Sequence, residues 1–256
     1  MIILFWIACF IIFYAFAGYG LLLYCLVRLK RVFFKRKTQP FLSPLPSVTL
    51  LVAAYNEEDF ITDKIHNCLE LDYDSGKLQI MFVTDGSTDR TPEMIKQFPE
   101  PELIHTTERS GKMAAIERAI PFAKGEIIVF TDANTFLNKE SIKAIVRHYG
   151  DPKVGAVAGE KRILADQRAD ASSAGEGFYW RYESMLKKWD YELYSNVGAA
   201  GELFSIRKAL YQPVERDTII DDHMIAMRIA EEGFIIAYEP SAYALETGSE
   251  NSAEEL

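Results

Sequence analysis

The sequence predicts an α/β protein: a mixed, mostly parallel sheet flanked by helices and preceded by one N-terminal transmembrane helix. Three observations carry this reading. Met1 to Val27 contains no charged residue. From Val48 onward, short runs rich in β-branched residues alternate with helix-length amphipathic stretches, the pattern of a parallel sheet covered on both faces. Two of those runs, Ile80–Thr84 and Ile127–Thr131, break into the acidic turns Asp85-Gly86-Ser87-Thr88-Asp89 and Asp132-Ala133-Asn134. Ligands of open α/β sheets bind beyond the carboxyl ends of the strands. Two carboxylates there suit a polyanion held through a divalent cation or through ribose hydroxyls, which points to a nucleotide-diphosphate ligand.

The uncharged stretch, at ~1.5 Å per residue, makes about 40 Å of helix, enough to cross a ~30 Å hydrocarbon core with tilt. Ala15-Phe16-Ala17 resembles a signal-peptide cleavage site. Against that, no basic region precedes the run, and it continues through Leu21-Leu22-Leu23. Residues 1–27 are therefore read as an anchor and 28–47 as a basic, Pro-rich linker. That linker holds Arg28, Lys30, Arg31, Lys35, Arg36 and Lys37, then Pro40, Pro44 and Pro46. The positive-inside rule places the basic side, and all that follows, in the cytoplasm, giving a single-pass protein of the cell (inner) membrane with its catalytic domain cytoplasmic. The same cluster is a candidate contact for anionic headgroups.

No Asp or Glu precedes Glu57. Setting aside the six basic residues of the linker leaves 22 basic against 37 acidic residues, a balance of −15. Such a surface excludes nucleic acid as a partner, because phosphate backbones need basic surface. A nucleotide needs only a few local contacts and stays open. Cys9, Cys25 and Cys68 form neither a disulfide framework nor a zinc spacing.

Further along, Val48–Ala54 reads as a strand, Glu57–Leu69 as a helix and 80–84 as a strand. A helix opened by Thr91-Pro92 follows, then a short strand at Glu102–Thr106. Next come a helix over Gly111–Ala123, a strand over 126–131, a helix over Ser141–Tyr149 and a strand over Val154–Ile163. The segment 178–191 is rich in aromatics and admits three readings: a platform for a sugar acceptor, an amphipathic helix on the bilayer, or core packing. Gly198-Ala199-Ala200-Gly201 is a small-residue turn, Asp221–Glu232 a helix and Phe234–Tyr238 a last strand.

Several side chains in these places can carry chemistry. Ala53 and Ala54 let a planar ring approach the backbone. Tyr55 can stack on a base, and Asn56 or Glu57 can accept from base or ribose, although Asn56 could equally cap a helix. Asp85, followed by Gly86, either contacts base or ribose or closes a turn. Ser110-Gly111-Lys112 opens a helix, a place that favours anions, though the P-loop spacing is missing. Asp132 and Asn134 put two oxygen ligands on one turn, suited to Mg²⁺ or Mn²⁺. Asp221-Asp222 starts a helix, where one carboxylate could act as a general base with a pKa raised by its neighbour. His223 reads as a bystander. A nicotinamide dehydrogenase is excluded because no GxGxxG follows the first strand.

The ordered set of motifs resembles the family 2 glycosyltransferases, inverting enzymes with the GT-A (Rossmann-like) fold. It runs through Ala-Ala-Tyr-Asn-Glu-Glu (53–58), Thr-Asp-Gly-Ser-Thr-Asp (84–89), Ser-Gly-Lys (110–112) and Thr-Asp-Ala-Asn (131–134). It continues through Val-Gly-Ala-Val-Ala-Gly-Glu (154–160), Gly198-x-x-Gly201 and Asp221-Asp222, ending at Tyr238-Glu239-Pro240. The resemblance covers about residues 47–245 of the chain. It implies a GT-A domain over 48–256, with a nucleotide-binding half at 48–135 and an acceptor half at 136–256. It also implies a UDP-sugar donor and a polysaccharide or lipid-linked acceptor at the membrane. By the same resemblance Ala54, Tyr55, Asn56, Glu57, Asp85, Gly86, Lys112 and Asp132 bind the nucleotide-sugar, and Asp132 with Asn134 holds the metal. Asp222 is the base beside Asp221, and Gly201 and Glu202 lie near the acceptor. Three departures stand out. Asn134 replaces a common Asp, and Ile220-Asp221-Asp222 replaces Thr-Glu-Asp. The Gln-x-x-Arg-Trp motif of processive synthases is expected beyond Leu256. A non-catalytic, nucleotide-sugar-binding or docking subunit of a membrane polysaccharide complex is the alternative.

Overall fold

The computed structural model describes residues 1–34, 43–164, 171–215, 218 and 220–247. Ile2–Phe33 forms one continuous helix: α1 (Ile2–Phe13), a π-helical turn at Tyr14–Gly18, and α2 (Tyr19–Phe33). It is long and apolar enough to cross a membrane, and no residue of α1 is buried. The helix outlasts the uncharged stretch. Arg28, Lys30 and Arg31, expected in a linker, are helical instead, since nothing up to Phe33 breaks the helix. Lys35, Arg36, Lys37 and Pro40 lie outside the described residues, as do Ile219 and residues 248–256.

Eight strands make one sheet in the order β3-β2-β1-β4-β7-β6-β8-β5. Their spans are β1 (Val48–Ala54), β2 (Leu78–Asp85), β3 (Glu102–Thr106), β4 (Ile127–Asp132), β5 (Thr135–Leu137), β6 (Val154–Leu164), β7 (Phe204–Arg207) and β8 (Ile235–Thr247). The four strands β3-β2-β1-β4 are parallel, so the carboxyl ends of β1, β2 and β4 emerge side by side. β7 turns antiparallel against β4 and β6, and β6 pairs parallel with β8. The helices are α3 (Ile61–Leu69), α4 (Thr91–Ile95), α5 (Lys112–Ala119), α6 (Ser141–Val146), α7 (Ala171–Leu193) and α8 (Asp221–Glu231).

Alternate residues of β1 bury on opposite faces, which is why the strand reads as an unbroken apolar run. Leu50 and Val52 join Ile61, Ile65, Ile142 and Ile145 in one core. Leu51 joins Met113, Ile116, Ile225 and Ile229 in the other. Both faces are thus covered by helices, as expected of parallel strands.

Three expected bounds move. The first helix starts at Ile61 rather than Glu57, because Asn56 adopts φ 54° and the Glu57 carbonyl takes the N–H groups of Phe60 and Ile61. Asn56 is therefore no helix cap. Pro121 turns the end of the Gly111–Ala123 stretch into a 3₁₀ turn, and the helix at Ser141 likewise tightens after Val146. β5 and β7 were not expected, and β8 runs on to Thr247 past Pro240, which falls where its pairing with β6 shifts register.

The aromatic segment lies on α7, which packs along α2. Tyr182 Oη donates to the Phe16 carbonyl, within the π-helical turn, at 3.0 Å. Tyr19 Oη donates to Asp190 at 2.6 Å, and Tyr24 meets Trp189 at 5.5 Å between ring centroids. Lys30 Nζ caps the end of α7 through the carbonyls of Glu192 and Leu193, and Arg31 holds the Glu192 carboxylate through two nitrogens. One face of α7 therefore packs on the N-terminal helix. The side chain of Phe178 lies outside the described residues.

Candidate functional site

The parallel strands deliver three acidic turns to one rim. β1 leads into Tyr55-Asn56-Glu57, β2 ends at Asp85, and β4 ends at Asp132. A cavity of about 370 Å³ opens there, lined among others by Ala54, Tyr55, Glu57, Asp85, Lys112, Asp132 and Asn134. Asn56 and Gly86 do not line it. The Asn56 Oδ1 accepts the Thr88 N–H at 2.8 Å and so ties the end of β1 to the loop after β2. Gly86 has φ 69°, and a Cβ there would come within 2.6–2.8 Å of Arg109, so only glycine lets the Arg109 backbone pass.

Asp85 is 5 % exposed and fully engaged. Its Oδ2 accepts the N–H groups of Ser110 (2.6 Å) and Gly111 (2.7 Å), and Oδ1 takes Arg118 at 2.8 Å. Burial pushes its pKa up, but those hydrogen bonds outweigh it and hold the carboxylate below its usual range. The amides expected to bind an anion at the start of α5 are thus spent on Asp85. The carboxylate braces the cavity floor.

Glu57 is the opposite case: burial, then Asp132, Asp89 and Asp59, push its carboxyl up to about 7. Arg109, which the sequence reading missed, lies 3.8 Å above the Tyr55 ring and covers one of its faces. Arg118, also missed, carries the only signal sequence could offer, a basic residue two turns into α5.

Lys112 Nζ contacts Asp132 Oδ1 at 2.7 Å, and both groups reach a small cleft shared with Gly201, Asp221 and Asp222. A Cβ on Gly201 would lie 3.5 Å from Asp222 Oδ2 and 3.7 Å from Lys112 Nζ. Gly201, Glu202 and Asp222 also line a second cavity of about 280 Å³, walled by Lys161, Trp180 and Tyr238. Asp222 therefore stands where the two spaces meet. Its pKa is raised, chiefly by burial, with Asp221 and Glu202 adding to it against the His223 amide and Lys112. The neighbour expected to dominate that shift is secondary. His223 packs against Gly198, in keeping with a bystander. A larger cavity, about 440 Å³, lies at the opposite strand ends near Val48 and Leu78 and contains none of the predicted residues.

Among the described residues no cluster of three or more His, Cys, Asp or Glu can hold a metal alone. Asp132 and Asn134 offer one carboxylate and one amide oxygen to the same cavity, and Asp132 already accepts a cationic partner, Lys112. That donor set fits a divalent cation that takes its remaining ligands from phosphate oxygens and water.

Comparison with known proteins matches this arrangement. The model of glycosyl transferase family 2 covers residues 49–213. A poly-β-1,6-N-acetyl-D-glucosamine synthase of Staphylococcus aureus (strain MSSA476) is 30% identical over 208 residues, spanning 77% of this chain and 49% of the relative. A β-monoglucosyldiacylglycerol synthase of Nostoc is 30% identical over 201 residues, 72% of this chain and 41% of that protein. The chain thus spans about half the length of the curated relatives it matches or less. Among solved structures, a mannosyltransferase of Pyrobaculum calidifontis with GDP-Man and Mn²⁺ superposes with TM-score 0.77 at 28% identity, covering 93% of this chain and 67% of that one. TarS of S. aureus with UDP-GlcNAc shares the fold at TM-score 0.57 and 17% identity, over 80% and 60%. The mixed sheet, the rim of acidic turns and the matched span agree: this chain is a GT-A glycosyltransferase and belongs to glycosyl transferase family 2.

Proposed function

We propose that this glycosyltransferase moves a sugar from a UDP-sugar, with inversion, to a saccharide hydroxyl at the cytosolic face of the membrane, with Asp222 as general base. The observation that carries the reading is the place of Asp222, at the junction of the two cavities and across Gly201 from Lys112. The donor lies in the cavity built by residues of the 48–135 half, with Tyr55, Glu57 and Asp132 on its walls and Asp85 beneath. The acceptor lies in the cavity built by the 136–256 half, beside Glu202 and Trp180.

The reaction is one displacement. The Asp222 carboxylate takes the proton of the acceptor hydroxyl, and the freed oxygen forms its bond to the anomeric carbon. The bond from that carbon to the diphosphate oxygen breaks on the opposite face, and UDP leaves with the electron pair. A raised Asp222 pKa, from burial, makes the carboxylate a stronger base. Lys112 offers its ammonium to the departing diphosphate. A divalent cation held by Asp132 and Asn134 would neutralise further charge on that leaving group.

The acceptor wall favours a saccharide. Glu160, Lys161, Glu183, Lys187 and Glu202 line it together with Trp180, a charged and aromatic surface suited to sugar hydroxyls and ring faces rather than to acyl chains. The poly-N-acetylglucosamine synthases among the relatives support a UDP-linked donor and a polysaccharide product.

Calorimetry on the full chain with UDP, with GDP, and with and without Mn²⁺ tests the donor, and UDP with Mn²⁺ is expected to bind best. Asp222→Asn is expected to keep UDP binding and the fold while lowering transfer by about 10²- to 10⁴-fold. Transfer at the wild-type rate would overturn Asp222 as base, and tighter binding of GDP would overturn the donor.

A further inference from the structure

Lys64, on α3, is 0 % exposed and forms no ion pair among the described residues. Its ammonium donates to Thr131 Oγ1 at 3.0 Å and to the Thr135 carbonyl at 2.6 Å. Removing an ammonium from water costs stability unless a partner compensates, so an apolar residue of similar length would serve packing better. The position of its two acceptors is informative. Thr131 immediately precedes Asp132-Ala133-Asn134, and Thr135 immediately follows it. One ammonium thus ties down both ends of the turn that presents the two oxygen ligands.

The network continues. The Thr131 hydroxyl donates to the Glu202 carbonyl at 2.9 Å, and the Thr135 hydroxyl lies 3.2 Å from the Asp132 carbonyl as its donor. Lys64 therefore connects, through one hydroxyl, the donor-side turn at Asp132 to the acceptor-side turn at Glu202. Burial pushes the ammonium down to about 8, with Cys68 and Asp132 opposing, so it is still charged at neutral pH.

The geometry points to Lys64 as a positioning residue that fixes Asp132 and Asn134 for the cation and diphosphate and couples that turn to the acceptor turn at Gly201-Glu202. This rests on the donor reading above. Second-sphere partners of metal ligands act in this way, and their removal weakens metal binding.

The test uses the full chain carrying Lys64→Met, with thermal unfolding as the control for folding. Two quantities are read: Mn²⁺ affinity in the presence of UDP, by calorimetry, and amide hydrogen exchange of residues 132–135 and 201–203 in the free protein. The expected result is a folded variant whose Mn²⁺ affinity falls about 10- to 100-fold, with faster exchange in both turns. Wild-type affinity, or unchanged exchange in both turns, would overturn the proposal. Should Lys64→Met fail to fold, Thr131→Val decides on the same readouts, since it removes the hydroxyl that joins the two turns. Should the wild-type chain bind no UDP, the donor reading falls, and the exchange measurement, which needs no ligand, decides the role of Lys64.

Discussion

Glu57 faces the cavity near Asp132, and its carboxyl is pushed up to about 7 by burial and by Asp132, Asp89 and Asp59. The unfolded chain gives up that proton near 4.5. Between those values the folded state binds more protons than the unfolded one, so stability falls as pH rises through this window. Glu57→Gln removes the penalty. Its melting temperature is expected to exceed the wild type by several degrees at pH 8, with the gap closing by pH 4, as scanning calorimetry would read. Sequence made the acidic residues of the rim visible, because β-branched runs ending in Asp are local patterns. It did not make their division of labour visible. Asp85 is a brace, since Ser110, Gly111 and Arg118 reach it from 25–33 residues away. Arg109 covers Tyr55 from another loop, and Lys64 looked like any helix lysine until α3 was laid against β4 and β5.

At the scale of elements, β1 and β3 fall where periodicity placed them, since each carries its own boundary in Pro or Asn neighbours. The three-residue β5 and four-residue β7 carry too few residues for a period, and their pairing with β8 and β4 comes from distant chain. The aromatic segment could not be assigned a face by sequence, because its partner, α2, lies about 160 residues earlier. The structure gives it two: Tyr182 and Trp189 against α2, and Trp180 toward the acceptor cavity. Gly20 is the key to the first face, since a Cβ there would sit 2.5 Å from Tyr182 Oη and 3.3 Å from Leu186. Gly20→Leu is therefore expected to part α2 from α7 and to speed tryptic cleavage at Arg181, Lys187 and Lys188 in the detergent-solubilised chain. Gly20→Ala should do so less.

The whole molecule joins one apolar helix to a twice-covered sheet, and its two cavities meet at Asp222. The uncharged stretch runs to Val27, while the docked stretch begins at Phe16. These overlap by roughly twelve residues, about 18 Å of helix. α7 carries Arg181, Glu183, Lys187 and Lys188 and so belongs in the headgroup layer or in water rather than in hydrocarbon. A membrane crossed by this helix then ends near Phe16–Gly20. Single-tryptophan chains in vesicles with shallow spin-labelled lipids should show Trp180 quenched. Quenching no greater than that of a water-soluble tryptophan would contradict this depth.

The contact between α2 and α7 has a consequence for how far the catalytic centre can stray. A flexible tether would let Asp222 sample a hemisphere of cytosol. A helix clamped from Phe16 to Arg31 fixes its altitude instead, holding the acceptor mouth at the lipid surface like a berth beside a quay. A sugar chain growing from a lipid, or heading for passage across the bilayer, would meet the base without leaving the membrane plane.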